Sequence, residues 1–506
     1  MPPRPTAASS ISDHVEKPIQ ISTASGPSAS AGVVTERKIT GVAWFVVNVA
    51  LLSATFLYAF DNTVTATVRP AIVDTFGNRI DMLPWVSVAA KLNKFLDGKL
   101  VFLAALLIFE VGSAVIGSAS SIGAVVAGRA LAGSGGSGIY VGTISMITGM
   151  TTAKEQNQYL NIVGMAWSLG TILGPVIGSA FADSPATWRW AFYINICVAA
   201  VAAPACIWIM PSAPPSMSLG VRDVIKAFDH LGAVLFLGFA VSTVMLLGFG
   251  GVVCSWDSGQ MIGLYVATAV LWILFALQQK FHLFTSDRIF PVQFFKDPLV
   301  VGLWIWTIVA VSDIVVTIYT LPLFFQFVLH DSSMRSAVYT LPFVASIVVS
   351  AGISGGVMPK FPWYKCWFIW ASVLLLVSNG LLSSIHTNTS RATICGYTII
   401  QGFGVGPVIQ LGYTVGQLKR PQATRKDVTA FFSCAQMGGL ALSLGIATSV
   451  LINHATEKIS HILPNVTEAV TQSVASVFYL NIFGAALGFL IALPLKFERL
   501  DFAALQ

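Results

Sequence analysis

Between residues 41 and 495 the chain is a near-unbroken succession of apolar segments, each long enough to cross a bilayer. They lie at 41–60, 100–118, 122–148, 158–181, 190–211, 230–250, 260–281, 299–328, 335–358, 363–384, 392–414, 428–452 and 473–495. A helix crosses hydrocarbon about 30 Å thick in about 20 residues. Strands of membrane barrels are about ten residues long and alternate polar with apolar, a pattern these runs lack. The segments therefore predict thirteen helices and an all-α, polytopic membrane protein. Composition agrees, because only 10% of the residues are charged, where a soluble domain carries about 25%.

The cations fix an orientation. If one further crossing precedes Lys91, alternate loops hold seventeen Lys and Arg, from Lys91, Lys94 and Lys99 through Lys154, Lys280 and Lys419 to Arg499. The other loops hold four: Arg189, Arg335, Arg391 and Lys458. Cationic loops stay cytoplasmic, so both termini are expected inside. The sequons at Asn388 and Asn465 fall in the minority loops and are expected as glycosylation sites. A net charge of +6 without a basic cluster argues against nucleic acid.

The domain reading follows. Residues 1–39, rich in Ser, Ala, Pro and Thr, read as a disordered cytoplasmic tail with no cleavable signal peptide. A first membrane half spans 40–211, a linker with two extra helices 212–298, a second half 299–496, and a short cytoplasmic tail 497–506. Six scattered cysteines without a CxxC pair, and seven histidines without HxxxH, give no disulfide framework and no metal site. No phosphate loop and no nucleophile–base constellation is present, so neither an enzyme nor a cofactor is expected. GSGGSG at 133–138 fits GxGxxG, but an apolar helix contains it and no strand precedes it. Close helix packing is the better reading.

One conflict stands out. Arg37 and Lys38 place the amino terminus inside, yet only one full span, 41–60, precedes the equally cytoplasmic Lys91–Lys99. An internal repeat sharpens it: Lys94 and Lys99 match Lys360 and Lys365 at an offset of 266, and Gly133 and Gly135 match Gly402 and Gly404 at 269. In the second copy Leu341-Pro342 lies inside a full span, whereas Leu83-Pro84 lies only six residues before Ala90. Residues 83–90 read as the stump of a truncated second helix, and parallel repeats are a transporter plan.

On one segment, Gly164, Gly170, Gly174, Pro175 and Gly178 form a row in which small residues recur at four-residue spacing. This row resembles the antiporter motif of the major facilitator superfamily. Arg129 in GRALAGSGGSG resembles that family's intramembrane arginine motif, and Asp61-Asn62-Thr63-Val64 with Pro70 its acidic motif at the end of the first span. ATWRWAFYINI resembles the start of its sixth span. The match runs through nearly everything after residue 40. It is similar to the fourteen-span drug:proton antiporters of fungi, in the branch of toxin and multidrug efflux pumps. The loop motif after the second span departs from the family, with Ala90 and Lys94 in place of a glycine and an acidic residue.

The resemblance implies two six-helix halves plus two central helices, and alternating access in a monomer of the plasma membrane. It implies proton-coupled export of a small, largely apolar compound. A charge inside a bilayer costs at least about 2.5–3.5 kcal/mol, which makes Asp61, Glu110, Arg129 and Asp313 the candidates for proton coupling. Arg129 alternatively forms a structural ion pair, Glu110 and Asp313 face a water-filled cleft, or Asp61 is interfacial. Gln158, Asn161, Gln401, Gln410 and Gln417 are candidate substrate contacts, although Gln158, Asn161 and Gln417 lie near span ends. Two other functions remain open: an importer of the same fold, such as a siderophore-type carrier, and a membrane protein that does not transport because its second helix is lost.

Overall fold

Fourteen α-helices form among the described residues of the computed structural model, which are 39–76, 97–182, 184–212, 229–251, 254–281, 283, 288, 290–421, 424–461 and 466–500. In chain order they are α1 (Gly41–Phe76), α2 (Gly98–Gly117), α3 (Ile122–Met150), α4 (Ala153–Ala182) and α5 (Trp190–Pro204), the last continued by a π-turn at Ala205–Ile209. Then come α6 (His230–Phe249), α7 (Gly259–Phe281), α8 (Pro298–Phe327), α9 (Ser333–Val357) and α10 (Tyr364–Ser383). Next are α11 (Arg391–Val405), α12 (Leu411–Leu418), α13 (Arg425–His461) and α14 (Val466–Ala492). Eleven of the helices are long and apolar enough to cross a membrane. The fold is the all-α, polytopic one expected.

Helix starts are set by local chemistry. Asp97, Ser121, Asp297, Ser332 and Ser390 each accept a backbone N–H from the first turn of the following helix, satisfying a donor that has no partner within the helix. Pro298, at the first helical position of α8, has no N–H to satisfy.

Two expected segments changed. The span placed at 41–60 is a helix of 36 residues, about 54 Å long at 1.5 Å per residue. The part of it apolar enough to cross a membrane is Gly41–Val64, so Asp61 sits within α1 near the end of that span, as expected, and is 1% exposed. The segment 392–414 is split into α11 and α12 by a turn over 406–410. Pro407 lies in that turn, where a proline has no N–H to continue the helix ladder.

α1 and α2 begin at the same end of the bundle. Trp44, near the start of α1, donates to the Tyr159 hydroxyl at 2.8 Å near the start of α4. Lys99 Nζ donates to the carbonyls of Ile207 (2.7 Å) and Met210 (2.8 Å), where α5 ends. At the opposite end Arg189 donates to the carbonyls of Gly117 (2.9 Å) and Ala119 (2.7 Å). In the second half Lys365 Nζ donates to the Leu493 carbonyl at 2.6 Å, where α14 ends. The repeat that pairs Lys99 with Lys365 is thus a repeat of structure. The stump 83–90, Lys91 and Lys94, like most of both tails, lie outside the described residues.

In the first half α1 packs against α3, α4 and α5, and α2 against α3 and α5. In the second, α8 packs against α13 and α14, α10 against α11 and α14, and α9 against α11. The halves meet where α4 lies along α9. α6 and α7 pack on each other at the periphery, and α6 also touches α13. Asp229 ties this pair at one end by accepting from Gln278 and Gln279, each at 2.8 Å. Much of their apolar surface is exposed, including Val234, Val266, Ile273 and Phe281, as a lipid-facing pair requires.

Candidate functional site

A narrow cleft lies between the halves. One wall comes from α1 and α4, through Asn62, Thr63, Trp167 and Thr171. The facing wall is α8, through Val311, Ile314, Val315, Ile318 and Tyr319. Ile409 from the α11–α12 turn, with Gln436 and Leu440 from α13, completes it. The lining is mostly apolar with a few polar groups, the ordinary make-up of a small-molecule site. The Tyr319 hydroxyl donates to the Asn62 carbonyl at 3.2 Å, a bond that joins the halves.

Below the cleft, toward the end that carries Lys99 and Lys365, the halves are sealed by uncharged groups. Gln410 Nε2 donates to the Tyr140 hydroxyl (3.2 Å), which donates to Gln436 Oε1 (2.6 Å). Tyr413 donates to the same Oε1 at 2.8 Å. One layer further on, Gln156 of α4 donates to Gln417 of α12, which donates to Thr429 at 2.7 Å. Trp167 stacks edge-on with Tyr58 and Tyr140, at 5.3 and 4.9 Å between ring centres.

The glycine row brings α1 and α4 together. A Cβ on Gly174 would lie 2.9 Å from the Phe60 carbonyl oxygen and from the Val64 nitrogen, and one on Gly170 would lie 2.9 Å from the Ala59 side chain. No side chain fits at either place. Gly164 lies against Gln410 and Ile409 of the other half, while Pro175 and Gly178 continue the same helix. The Gly135 backbone meets that of Phe109 with the same closeness, so GSGGSG packs helices as expected.

This packing carries charge to the edge of the cleft. Arg129 on α3 reaches Asp61 on α1 across 2.5 Å, one residue from Asn62 of the cleft wall. Asn195 of α5 lies near the Asp61 carboxylate and donates to Ser113 at 3.1 Å. Glu110 of α2 is near enough to Asp61 to feel its charge, and neither of its oxygens meets a donor among the described residues. In the second half Asp313 accepts from Asn379 at 2.7 Å, and Gln401 donates to Thr317 (2.8 Å) and to Asn379 (3.2 Å).

The sequence candidates therefore separate. Asp61, Arg129 and Glu110 come together, and Asp313 and Gln401 form a second cluster. Gln410 and Gln417 belong to the seal. Asn161 is buried and packs near Gly355 of α9 at the contact between halves. Gln158 is exposed at the end of the bundle. The amides proposed as substrate contacts do not line the cleft, whereas Gln436, Asn62, Thr63 and Thr171 do. Gln436 had a signal, as a polar residue in the apolar run 428–452. Asn388 is exposed between α10 and α11, and Asn465 lies outside the described residues.

Comparison with known proteins bears on what holds this cleft. The family model of the Major Facilitator Superfamily matches residues 51–444. The MFS-type transporter pgmG of Aspergillus terreus is 38% identical over 455 residues, which cover 87% of this chain and 81% of pgmG. The phomenoic acid biosynthesis cluster MFS-type transporter of Leptosphaeria maculans is 35% identical over 90% of this chain and 77% of its own. The efflux pump patC of Aspergillus clavatus is 35% identical over 82% and 78%. Among solved structures, the human organic anion transporter MFSD10 superposes with a TM-score of 0.59 at 14% identity, over 88% of this chain and all of that one. A bacterial homologue of the lysosomal transporter Spinster, inward-facing and unoccupied, gives 0.56 at 14%, over 90% and 98%. At that identity these two speak for the fold alone. The chain belongs to the Major Facilitator Superfamily: it is an integral membrane transporter of small molecules, not an enzyme.

Proposed function

We propose that this protein exports a small, largely apolar compound in exchange for protons, by rocking its halves, 40–211 and 299–496, about the cleft. The observation that carries this reading is the juxtaposition of a mostly apolar cleft with a buried ion pair. Asn62 and Thr63 border the cleft, and the adjacent Asp61 holds Arg129. Proton uptake by Asp61 would cancel the negative charge that binds the guanidinium. Arg129 cannot give up its own proton, so the pair then holds one uncompensated cation. Glu110, within reach of the charge on Asp61, is a second stop for that proton. α1 carries Asp61 and packs on α4 through the glycine row, so a change at the pair reaches both helices of one cleft wall. Export rather than import is favoured by relatives whose names call them efflux pumps.

The same reading places the protein in the plasma membrane as a monomer with both termini cytoplasmic. The orientation is supported by the gathering of Lys99, Lys365 and Lys419 at one end, while Arg189 and exposed Asn388 lie at the other. The test uses the full chain in proteoliposomes with an acidic interior. Rhodamine 6G should accumulate inside while protons leave, and Asp61→Asn should abolish both movements. Dye movement indifferent to the pH gradient in the unmodified protein would overturn proton coupling. Accumulation only when the gradient is reversed would favour the importer.

A further inference from the structure

Gln436 stands where the apolar wall of the cleft meets the seal beneath it. It is 2% exposed and borders the cleft. Its carbonyl oxygen is occupied twice, by the hydroxyls of Tyr140 (2.6 Å) and Tyr413 (2.8 Å). The direction of these bonds follows from the groups around them. Tyr140 receives the amide of Gln410 at 3.2 Å, which leaves its own proton for Gln436. Three elements, α3, α12 and the turn before α12, thus hold the carbonyl of Gln436 down. Its –NH2 group has no acceptor among the described residues.

We propose that the Gln436 amide is the donor by which this cleft recognises its substrate. It selects apolar skeletons that carry a hydrogen-bond acceptor, such as a ketone, ester, lactone or quinone carbonyl, over the matching hydrocarbon. The inference rests on the reading of the cleft as the site for a small apolar compound, and it adds which chemistry that compound bears. A compound without an acceptor strips water from the amide and returns nothing, so it is penalised even where its shape fits. The neighbouring Val311, Ile314, Val315 and Ile318 supply contact without polarity. Tyr140 and Tyr413 are positioning residues, because they act through the carbonyl of Gln436.

The test measures equilibrium binding of tritiated 9-fluorenone, fluorene and 9-hydroxyfluorene to the full chain in nanodiscs, with unlabelled competitor defining the specific part. The ketone should bind about tenfold more tightly than the hydrocarbon, the worth of one hydrogen bond. Gln436→Leu should erase that preference while fluorene binds at least as tightly as to the unmodified protein, which also reports that the variant is folded. Gln436→Glu should turn the preference from the ketone toward the alcohol. The double variant Tyr140→Phe, Tyr413→Phe should keep fluorene binding but blunt selectivity for the ketone, because the amide is free to rotate. Equal binding of ketone and hydrocarbon by the unmodified protein, or equal loss of both in Gln436→Leu, overturns this inference and leaves the cleft as an apolar site. Specific binding of none of the three overturns the reading of the cleft as well.

Discussion

In the first half of the molecule a buried carboxylate meets an arginine; at the matching place in the second half it meets an amide. Asp61 precedes Pro70 by the same nine residues that separate Asp313 from Pro322. Glu110 corresponds to Asn379 and Arg129 to Thr398, both at an offset of 269. Asn195 corresponds to Asn481 at an offset of 286, which also relates Ile207 to Leu493, the acceptors of Lys99 and Lys365. The scaffold is repeated and the chemistry is not. An acid, an acid and a base in one half stand against an acid, an amide and a hydroxyl in the other. Adding a proton to Asp61 changes a Coulomb interaction that is strong in a medium of low dielectric. Adding one to Asp313 changes local hydrogen bonds.

The largest effect should come from separating the charged pair. Arg129→Leu leaves Asp61 buried without its cation, a change that costs about 3–5 kcal/mol. The variant should unfold at markedly lower temperature in nanodiscs and lose dye transport, and adding Asp61→Asn to it should restore the melting temperature but not transport. If Arg129→Leu alone melts like the unmodified protein, the contrast between the halves is not one of charge. Next in size is Asp313→Asn. Its new amide keeps an oxygen for Asn379, so the expected cost is about 0.5–1.5 kcal/mol, with proton-driven transport slowed and not abolished. Loss as complete as in Asp61→Asn would make the two carboxylates equal partners.

Lys99→Met and Lys365→Met test the repeat itself. Lys99 serves two carbonyls and Lys365 one, so both should destabilise by about 1 kcal/mol, the first somewhat more. The smallest effect belongs to Lys419 and Glu498, a pair in the second half whose counterparts at 269 and 286 are Met150 and Ser212. The hydrogen bond from Lys419 holds the Glu498 carboxyl below its ordinary range. A group lowered on folding contributes stability above its unfolded value and loses it as pH falls through the folded one. The melting temperatures of the unmodified protein and Lys419→Met should therefore differ slightly at neutral pH and converge as the pH falls through and below the ordinary carboxylate range.

Much of this was legible in the chain. The spans, the repeat and the glycine row could be placed because lipid demands long apolar helices and close packing demands small residues. The pairing of Asp61 with Arg129 could not. The two residues lie 68 apart, and only the approach of α1, α3 and α4 joins them. The role of Gln436 was hidden for a related reason. A helix apolar on nearly every face carries no periodic mark of which side looks inward, so a lone glutamine in 428–452 has no visible direction. Gln158 shows the converse, since a polar residue near a span end faces water.

The seal beneath the cleft is built from glutamines, tyrosines and threonine, without an ion among them. Ionic strength weakens charged contacts, and the membrane voltage does work only on displaced charge. Neither handle grips this barrier. Parting its layers should take the same free energy in dilute buffer as in molar salt, and in a polarised vesicle as in a leaky one. Electrical sensitivity in the transport cycle would then enter where Asp61, held by the permanently charged Arg129, gains and loses a proton.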